Sequence, residues 1–251
     1  MSFKELFSRQ AADYAQFRPT YPEELFRYLA SLTKEHLCAW DCGTGSGQAA
    51  IALASYCSRI IGTDPSADQI AHARRHPKVE YRIAPAEDSA ISAGSVDLTV
   101  VAQALHWFDL GKFYTEVQRV SKPSGSIIAV WCYALMEITP AVDRVIHRYY
   151  YDVIGKYWEP ERRWVEQGYR GISFPFEEIV PPEFSMTAEW TFDHLVGYIN
   201  TWSATQTALR LEEVNPLDST RMELREAWGE IEGTKRVRWP LFIRVGSIKK
   251  V

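Results

Sequence analysis

The sequence predicts an α/β protein: a mostly parallel sheet with helices on both faces, followed by a helical, aromatic-rich region. Three observations carry this. Short apolar runs alternate with amphipathic stretches between residues 22 and 131. A glycine-rich turn, Asp41-Cys42-Gly43-Thr44-Gly45-Ser46-Gly47, joins the first of those runs to a helix. Eight of the nine tryptophans lie after residue 100, so the second half must pack, or line, something with aromatic walls.

The elements follow in order. Pro22–Leu32 reads as a helix, with Leu25, Phe26, Tyr28, Leu29 and Leu32 on one stripe. Leu37–Trp40 is an apolar run that ends at Asp41, and Gln48–Ser55 is the helix after the turn. Arg59–Thr63 is strand-like and ends at Asp64. Ser66–His76 is helical, with Ser66 placed as its N-cap. Val79–Ile83, Ser95–Val101 and Ser126–Trp131 read as strands, and Leu110–Val120 as a helix. Such alternation implies a parallel sheet, and ligands bind those sheets at the carboxyl ends of the strands. After residue 134 the rhythm changes. Helices are expected at Ala141–Gly155, Asp193–Thr205 and Ser219–Glu232, and strands at Phe184–Trp190 and Val237–Ile248.

Composition narrows the function. Hydrophobic residues make up 46% and charged residues 24%, with a net charge of −4. A dedicated nucleic-acid binder usually carries a basic face, and the nearest thing to one is the short patch Lys235–Arg238. No nucleic-acid partner is therefore expected. The four cysteines form no CxxC pair, and no histidine joins them at zinc-ligand spacing, so no metal is expected. Residues 1–10 contain no apolar h-region and no stretch reaches membrane-spanning length, so a cytoplasmic protein without a membrane partner is expected. Nothing demands an oligomer; a monomer or weak dimer is the expected state.

The glycine turn carries the chemistry. Glycines allow positive φ and close backbone approach, and the helix that follows offers free N–H groups. The spacing is GxGxG, and Asp41 sits two residues before Gly43. An acid there suits a ligand ammonium group better than a phosphate. Asp64 lies 17 residues past Gly47, at the end of the next strand, where a carboxylate can hold both ribose hydroxyls. Pro65 and Ser66 follow it, so Asp64 can also be read as a helix cap, but the agreement of strand, turn, helix, strand and acid favours the ribose role.

These residues together resemble the class I S-adenosylmethionine-dependent methyltransferases. The resemblance runs from about Phe7 to Trp131 and returns at the last strand. It implies a Rossmann-like fold with a seven-stranded sheet. Asp41, Gly43, Gly45 and Gly47 match the glycine motif and Asp64 the ribose acid, with Pro65 beside it. Ala84-Pro85-Ala86-Glu87-Asp88 matches the segment bordering the adenine, and Arg119–Gly125 the turn before strand five. Many relatives carry Asp where this chain has Pro85, which passes the adenine contact to Glu87 or a backbone group. A narrower likeness, to trans-aconitate methyltransferase-like proteins, rests on Tyr14–Pro22, Gln103–Asp109 and Thr201–Ala204. It implies a lid in the first residues and small acids among the substrates. The whole chain is then a single domain. Residues 1–35 form the lid and first helix, and 36–133 the cofactor-binding core. Residues 134–234 supply cap elements and a late strand, and 235–251 the final strand.

Methyl transfer from a sulfonium needs alignment and a dry site. A carboxylate acceptor needs no general base, whereas a hydroxyl does. His106, after strand four, is the candidate base, although pocket lining beside Trp107 is the favoured reading for it. Gln103 is expected at the cofactor's methionine portion. Tyr14 and Tyr21 can approach the sulfonium with an aromatic face, and Arg18 can pair with a carboxylate of cofactor or substrate. Tyr21, Trp107, Trp131, Trp164 and Trp202 are expected to wall the acceptor pocket. Arg162, Arg163, Tyr169 and Arg170 can bind an acidic substrate, or simply form a solvated loop.

The expected activity is methylation of a small molecule, at a carboxylate or hydroxyl oxygen. Three other readings stand beside it. A macromolecule methyltransferase is disfavoured because Ala102-Gln103-Ala104-Leu105 is not a (D/N)PP(Y/F) segment and no Pro-Cys pair supplies a nucleophile. A noncatalytic cofactor-binding module would keep the glycines and lose the pocket. An NAD-dependent dehydrogenase fits neither the acid nor the GxGxG spacing.

Overall fold

The computed structural model describes residues 17–230 and 232–249. Contacts sort the chain into two compact units. The core unit holds residues 20–133, 163–184 and 241–251; the second unit holds residues up to 19, 134–162 and 185–240.

In the core unit, α1 (Glu23–Ser31) precedes β1 (Cys38–Cys42), α2 (Gln48–Leu53), β2 (Arg59–Asp64), α3 (Ala67–His72) and β3 (Val79–Ile83). Then come β4 (Leu98–Ala102), a 3-10 turn at Leu105–Trp107, α4 (Leu110–Val120) and β5 (Ser126–Cys132). Further along lie α6 (Arg162–Glu166) and β6 (Glu177–Ile179). Between β5 and α6 the second unit opens with α5 (Pro140–Arg148). It continues with β7 (Phe184–Trp190), α7 (Phe192–Asn200), α8 (Ser203–Glu212), α9 (Pro216–Trp228) and the first part of β8 (Lys235–Ile248).

The sheet order is β3-β2-β1-β4-β5-β8-β6, with β7 pairing β8, giving eight strands. Strands β1 to β5 pair in parallel, and β8 runs antiparallel to β5 and β6. The chain winds outward from β1 to β3, then restarts beside β1 at β4. The switch point therefore falls between β1 and β4, where such sheets open a crevice at their carboxyl ends. Strands β1 and β5 are buried along their whole length, as a doubly covered parallel sheet requires. Trp40 packs on Phe113 of α4 and donates from Nε1 to Thr63 Oγ1 at 2.9 Å. Helix α4 starts where Asp109 accepts from Lys112 N–H, and it buries Phe113, Tyr114, Val117 and Val120 at helical spacing.

Buried Asp97, just before β4, ties the amino ends of the central strands. Its Oδ2 accepts the N–H groups of Leu37 (3.2 Å) and Cys38 (2.8 Å), and Lys122 Nζ lies 2.6 Å from Oδ1. The Arg119–Gly125 turn thus supplies the counter-charge that this carboxylate needs. All four cysteines are buried free thiols. Burial pushes the Cys57 thiol up to about 11 and Cys42 well above its ordinary value. Among the described residues no helix is long and apolar enough to cross a membrane, and no three metal-ligating side chains cluster.

The second unit is built on aromatic contacts. Trp190 packs 4.7 Å from Trp239 and 5.0 Å from Tyr198, and Tyr150 lies 4.7 Å from Trp158. Helix α5 begins at the Thr139 cap and passes into a π turn at Tyr149–Val153.

Three expectations are corrected. The sheet has eight strands, because Glu177–Ile179 pairs with β8 despite its short, acidic, exposed sequence. The helix expected at 193–205 is two, α7 and α8. Trp202 leaves helical backbone (φ −67°, ψ 136°) and places its ring 5.6 Å from Tyr150 and 5.9 Å from Tyr198. Gln206 Nε2 then donates to Asn200 O at 2.7 Å, satisfying a terminal carbonyl. The helix expected at 66–76 stops at His72, since Ala73 is extended.

Replacing Asp97 by Ala strips two strand-opening N–H groups and a lysine of their acceptor. Stability should fall by about 2–4 kcal/mol, read by urea unfolding. A loss below about 0.5 kcal/mol, the scale of a surface change, would refute this role.

Candidate active site

Strand β1 delivers Asp41 to its carboxyl end, wholly buried. Asp41 Oδ2 accepts from Thr44 Oγ1 (2.6 Å) and from Ala50 N–H (3.0 Å), in the first turn of α2. The N-cap of that helix is Gly47, which has no side chain to cap with, so Asp41 serves from a distance. Its Oδ1 is buried and has no hydrogen-bond partner among the described residues. Burial pushes the carboxyl up to about 6, against the Thr44 and Ala50 hydrogen bonds, with Asp64 adding to the rise.

The turn itself is fixed by β2. Gly43 and Thr44 N–H groups donate to Thr63 O at 2.9 Å, and Gly45 N–H to Asp64 Oδ2 at 3.0 Å. Gly43, Gly45 and Gly47 all have positive φ. A Cβ on Gly43 would lie 2.5 Å from Ala104 Cβ, and one on Gly47 would strike the Tyr81 hydroxyl. Asp64 Oδ1 accepts Ser66 N–H at 2.9 Å, so both oxygens already hold backbone, and burial raises its pKa against those bonds. Each oxygen keeps a second lone pair. Pro65 is half-buried between them in sequence.

Ala86 is buried, and Glu87 Oε1 accepts Asp109 N–H at 2.8 Å, ahead of α4. Gln103 follows β4 with φ +57°, an uncommon backbone for a side chain of this kind. Its N–H donates to Trp131 O and its Nε2 to Tyr133 O, both at 2.9 Å. Gln103 Oε1 is buried without a partner among the described residues. His106 Nδ1 lies 2.9 Å from Tyr169 Oη, and its ring is 4.8 Å from Trp107.

The core unit thus assembles Asp41, the glycines, Asp64, Pro65, Ala86, Glu87, Gln103, His106 and Trp107 from neighbouring strand ends. Tyr21 is there too, edge-on to Trp131 at 5.4 Å, and Trp131 is buried under it. Arg163 is exposed over the Trp164 ring at 4.8 Å. Arg18, over Tyr198 at 5.1 Å, and Trp202 belong to the second unit. Tyr14 lies outside the described residues. Arg162 stacks on Trp158 and donates from Nε to Tyr150 Oη at 2.7 Å, and Arg170 donates from Nε to Gln167 O. Tyr169 is corrected: it is fully buried against His106, not set on a solvated loop. Thr44 and Thr63 are working parts of the turn that the motif did not single out, although Thr44 stands inside it.

Two buried acceptor atoms without partners, Asp41 Oδ1 and Gln103 Oε1, fit a ligand that brings a cationic donor group. S-adenosylmethionine brings an ammonium.

A family model of the methyltransferase domain matches residues 40–129. A Dictyostelium discoideum protein designated "Putative methyltransferase" is 36% identical over 248 residues, 96% of this chain and 94% of that one. The structure titled as a "Putative Type II Methyltransferase" from Anaeromyxobacter dehalogenans is 43% identical with a TM-score of 0.87. That match covers 93% of this chain and 99% of the other. A Saccharomyces cerevisiae protein designated "Probable S-adenosylmethionine-dependent methyltransferase" is 29% identical over 177 residues, 64% of this chain and 60% of that one. The chain belongs to the class I S-adenosylmethionine-dependent methyltransferases.

Gly43→Ala brings both a left-handed φ and a clash with Ala104. It should cost about 1–3 kcal/mol of stability and weaken S-adenosylhomocysteine binding. Unchanged melting and affinity would show that the turn tolerates a side chain.

Proposed function

We propose that this methyltransferase acts on a small molecule, at a carboxylate or hydroxyl oxygen, by in-line transfer. The observation that carries the reading is the segment after β4. It offers Gln103, an imidazole and an indole at the strand end, with His106 backed by a buried tyrosine hydroxyl. Small acids are the acceptors suggested by the narrower trans-aconitate-like resemblance. The net charge of −4 argues against a nucleic-acid acceptor.

Asp41 and Gln103 would hold the methionine end of the cofactor. The Gly43–Gly47 turn would pass beneath it. Asp64, with Pro65, would hold the ribose, and Ala86 and Glu87 would border the adenine. Tyr21, Trp107, Arg163 and Trp164 of the core unit would line the acceptor pocket, with Trp131 buried behind Tyr21. The cofactor supplies a methyl group already activated on a cationic sulfur, which keeps the electron pair of the broken S–C bond. A carboxylate acceptor is ionised at neutral pH, so this chain need only align and dry it. For a hydroxyl acceptor, His106 takes the proton.

Calorimetric titration with S-adenosylhomocysteine tests the cofactor half of this, and turnover of a panel of small acids and phenols the acceptor half. Binding near one to one is expected; binding without turnover of any acceptor would favour a noncatalytic module. Asp64→Ala should weaken S-adenosylhomocysteine by about 1–3 kcal/mol, and unchanged affinity would remove Asp64 from the site.

Asp41 also sets a pH dependence. Its folded pKa is raised, so the proton it holds below about pH 6 must leave before the carboxylate can meet an ammonium. S-adenosylhomocysteine affinity should therefore fall as pH drops through about 6, by up to about tenfold per unit. The same titration at pH 5 and pH 8 reads this, and equal affinities would exclude the pairing.

A further inference from the structure

We infer that Tyr169 is a positioning residue for His106: its hydroxyl oxygen accepts the Nδ1–H and thereby keeps the lone pair on Nε2. The inference rests on the proposed reading of His106 as the base for a hydroxyl acceptor.

The two residues are 63 positions apart in sequence, and Tyr169 Oη lies 2.9 Å from His106 Nδ1. Their rings are 6.0 Å apart and tilted, and the contact between them runs from the Tyr169 hydroxyl to the imidazole nitrogen. A neutral imidazole carries one proton and one lone pair, and the bond made by one nitrogen decides which the other presents. With Nδ1–H directed at Tyr169, Nε2 is the basic nitrogen. As the acceptor oxygen takes the methyl group, its proton passes to Nε2. The imidazolium then keeps its Nδ1–H on Tyr169 and releases the Nε2 proton to solvent.

The backbone around Tyr169 is built to hold that hydroxyl in place. Tyr169 sits at φ +60°, a left-handed conformation that is uncommon for a bulky residue and persists where surroundings enforce it. Gly168 before it is also left-handed, and a Cβ there would come within 2.7 Å of Phe242. Tyr169 N–H donates to Trp164 O at 2.8 Å, and its carbonyl accepts from Arg244 Nη1 at 3.2 Å. Arg244 is itself fixed by Glu178 and by Ile172 O. The ring is wholly buried.

The test is Tyr169→Phe, which removes one oxygen and keeps the ring. Long-range 1H–15N spectra of the full chain, with the His106 signals assigned through His106→Gln, report the tautomer without turnover. The Nδ1–H form is expected in the wild type, shifting toward an Nε2–H or mixed population in Tyr169→Phe. With a hydroxyl acceptor, kcat should fall about tenfold or more while KM and S-adenosylhomocysteine affinity stay unchanged. An Nε2–H tautomer in the wild type, or unchanged spectra and kcat in Tyr169→Phe, overturns the inference. Full turnover by His106→Gln would instead overturn the base reading beneath it, so the two failures are distinct.

Discussion

The glycine turn is wound around one buried carboxylate. Asp41 ends β1 and accepts from both the turn, through Thr44, and the first turn of α2, through Ala50. Remove it, and a glycine N-cap is left with nothing to close the helix. The cost is a charge held in a dry place, visible in a pKa raised to about 6. The one oxygen left without a partner among the described residues adds to that cost. A buried, half-satisfied acid is unfavourable in the free protein and favourable once a cation arrives.

A second acid, Asp64, completes the frame from the neighbouring strand. It anchors Gly45 on one side and Ser66 on the other, so β2 dictates the shape of a turn that belongs to β1. Asp97 does the corresponding job at the opposite end of the strands, with Lys122 as its counter-ion. Asp41 and Asp64, at the carboxyl ends of β1 and β2, hold the turn, and Asp97, just before β4, ties the opposite ends of the strands. The helices between them mainly cover the sheet.

What could be read from the sequence depended on distance along the chain. The glycine spacing, the acid at the next strand end and the Ser66 cap are local patterns, and each appears in the structure near its expected place. The helix break at Trp202 was not legible, because apolar spacing continues through it and only the ring's packing among Tyr150 and Tyr198 pulls it out. Strand β6 has no apolar alternation to announce it. The pairing of Tyr169 with His106 joins segments that no local pattern connects. Thr63 contributes a backbone carbonyl, which carries no side-chain signature at all.

The buried thiols have a practical side. Thiol reagents attack the thiolate, and burial keeps Cys42 and Cys57 protonated far above neutral pH while Cys38 and Cys132 are also shielded. The folded protein is therefore expected to react slowly with maleimides. A single cysteine introduced at exposed Met222 on α9 would react alone, giving a site-specific fluorophore or spin label without first stripping the native thiols.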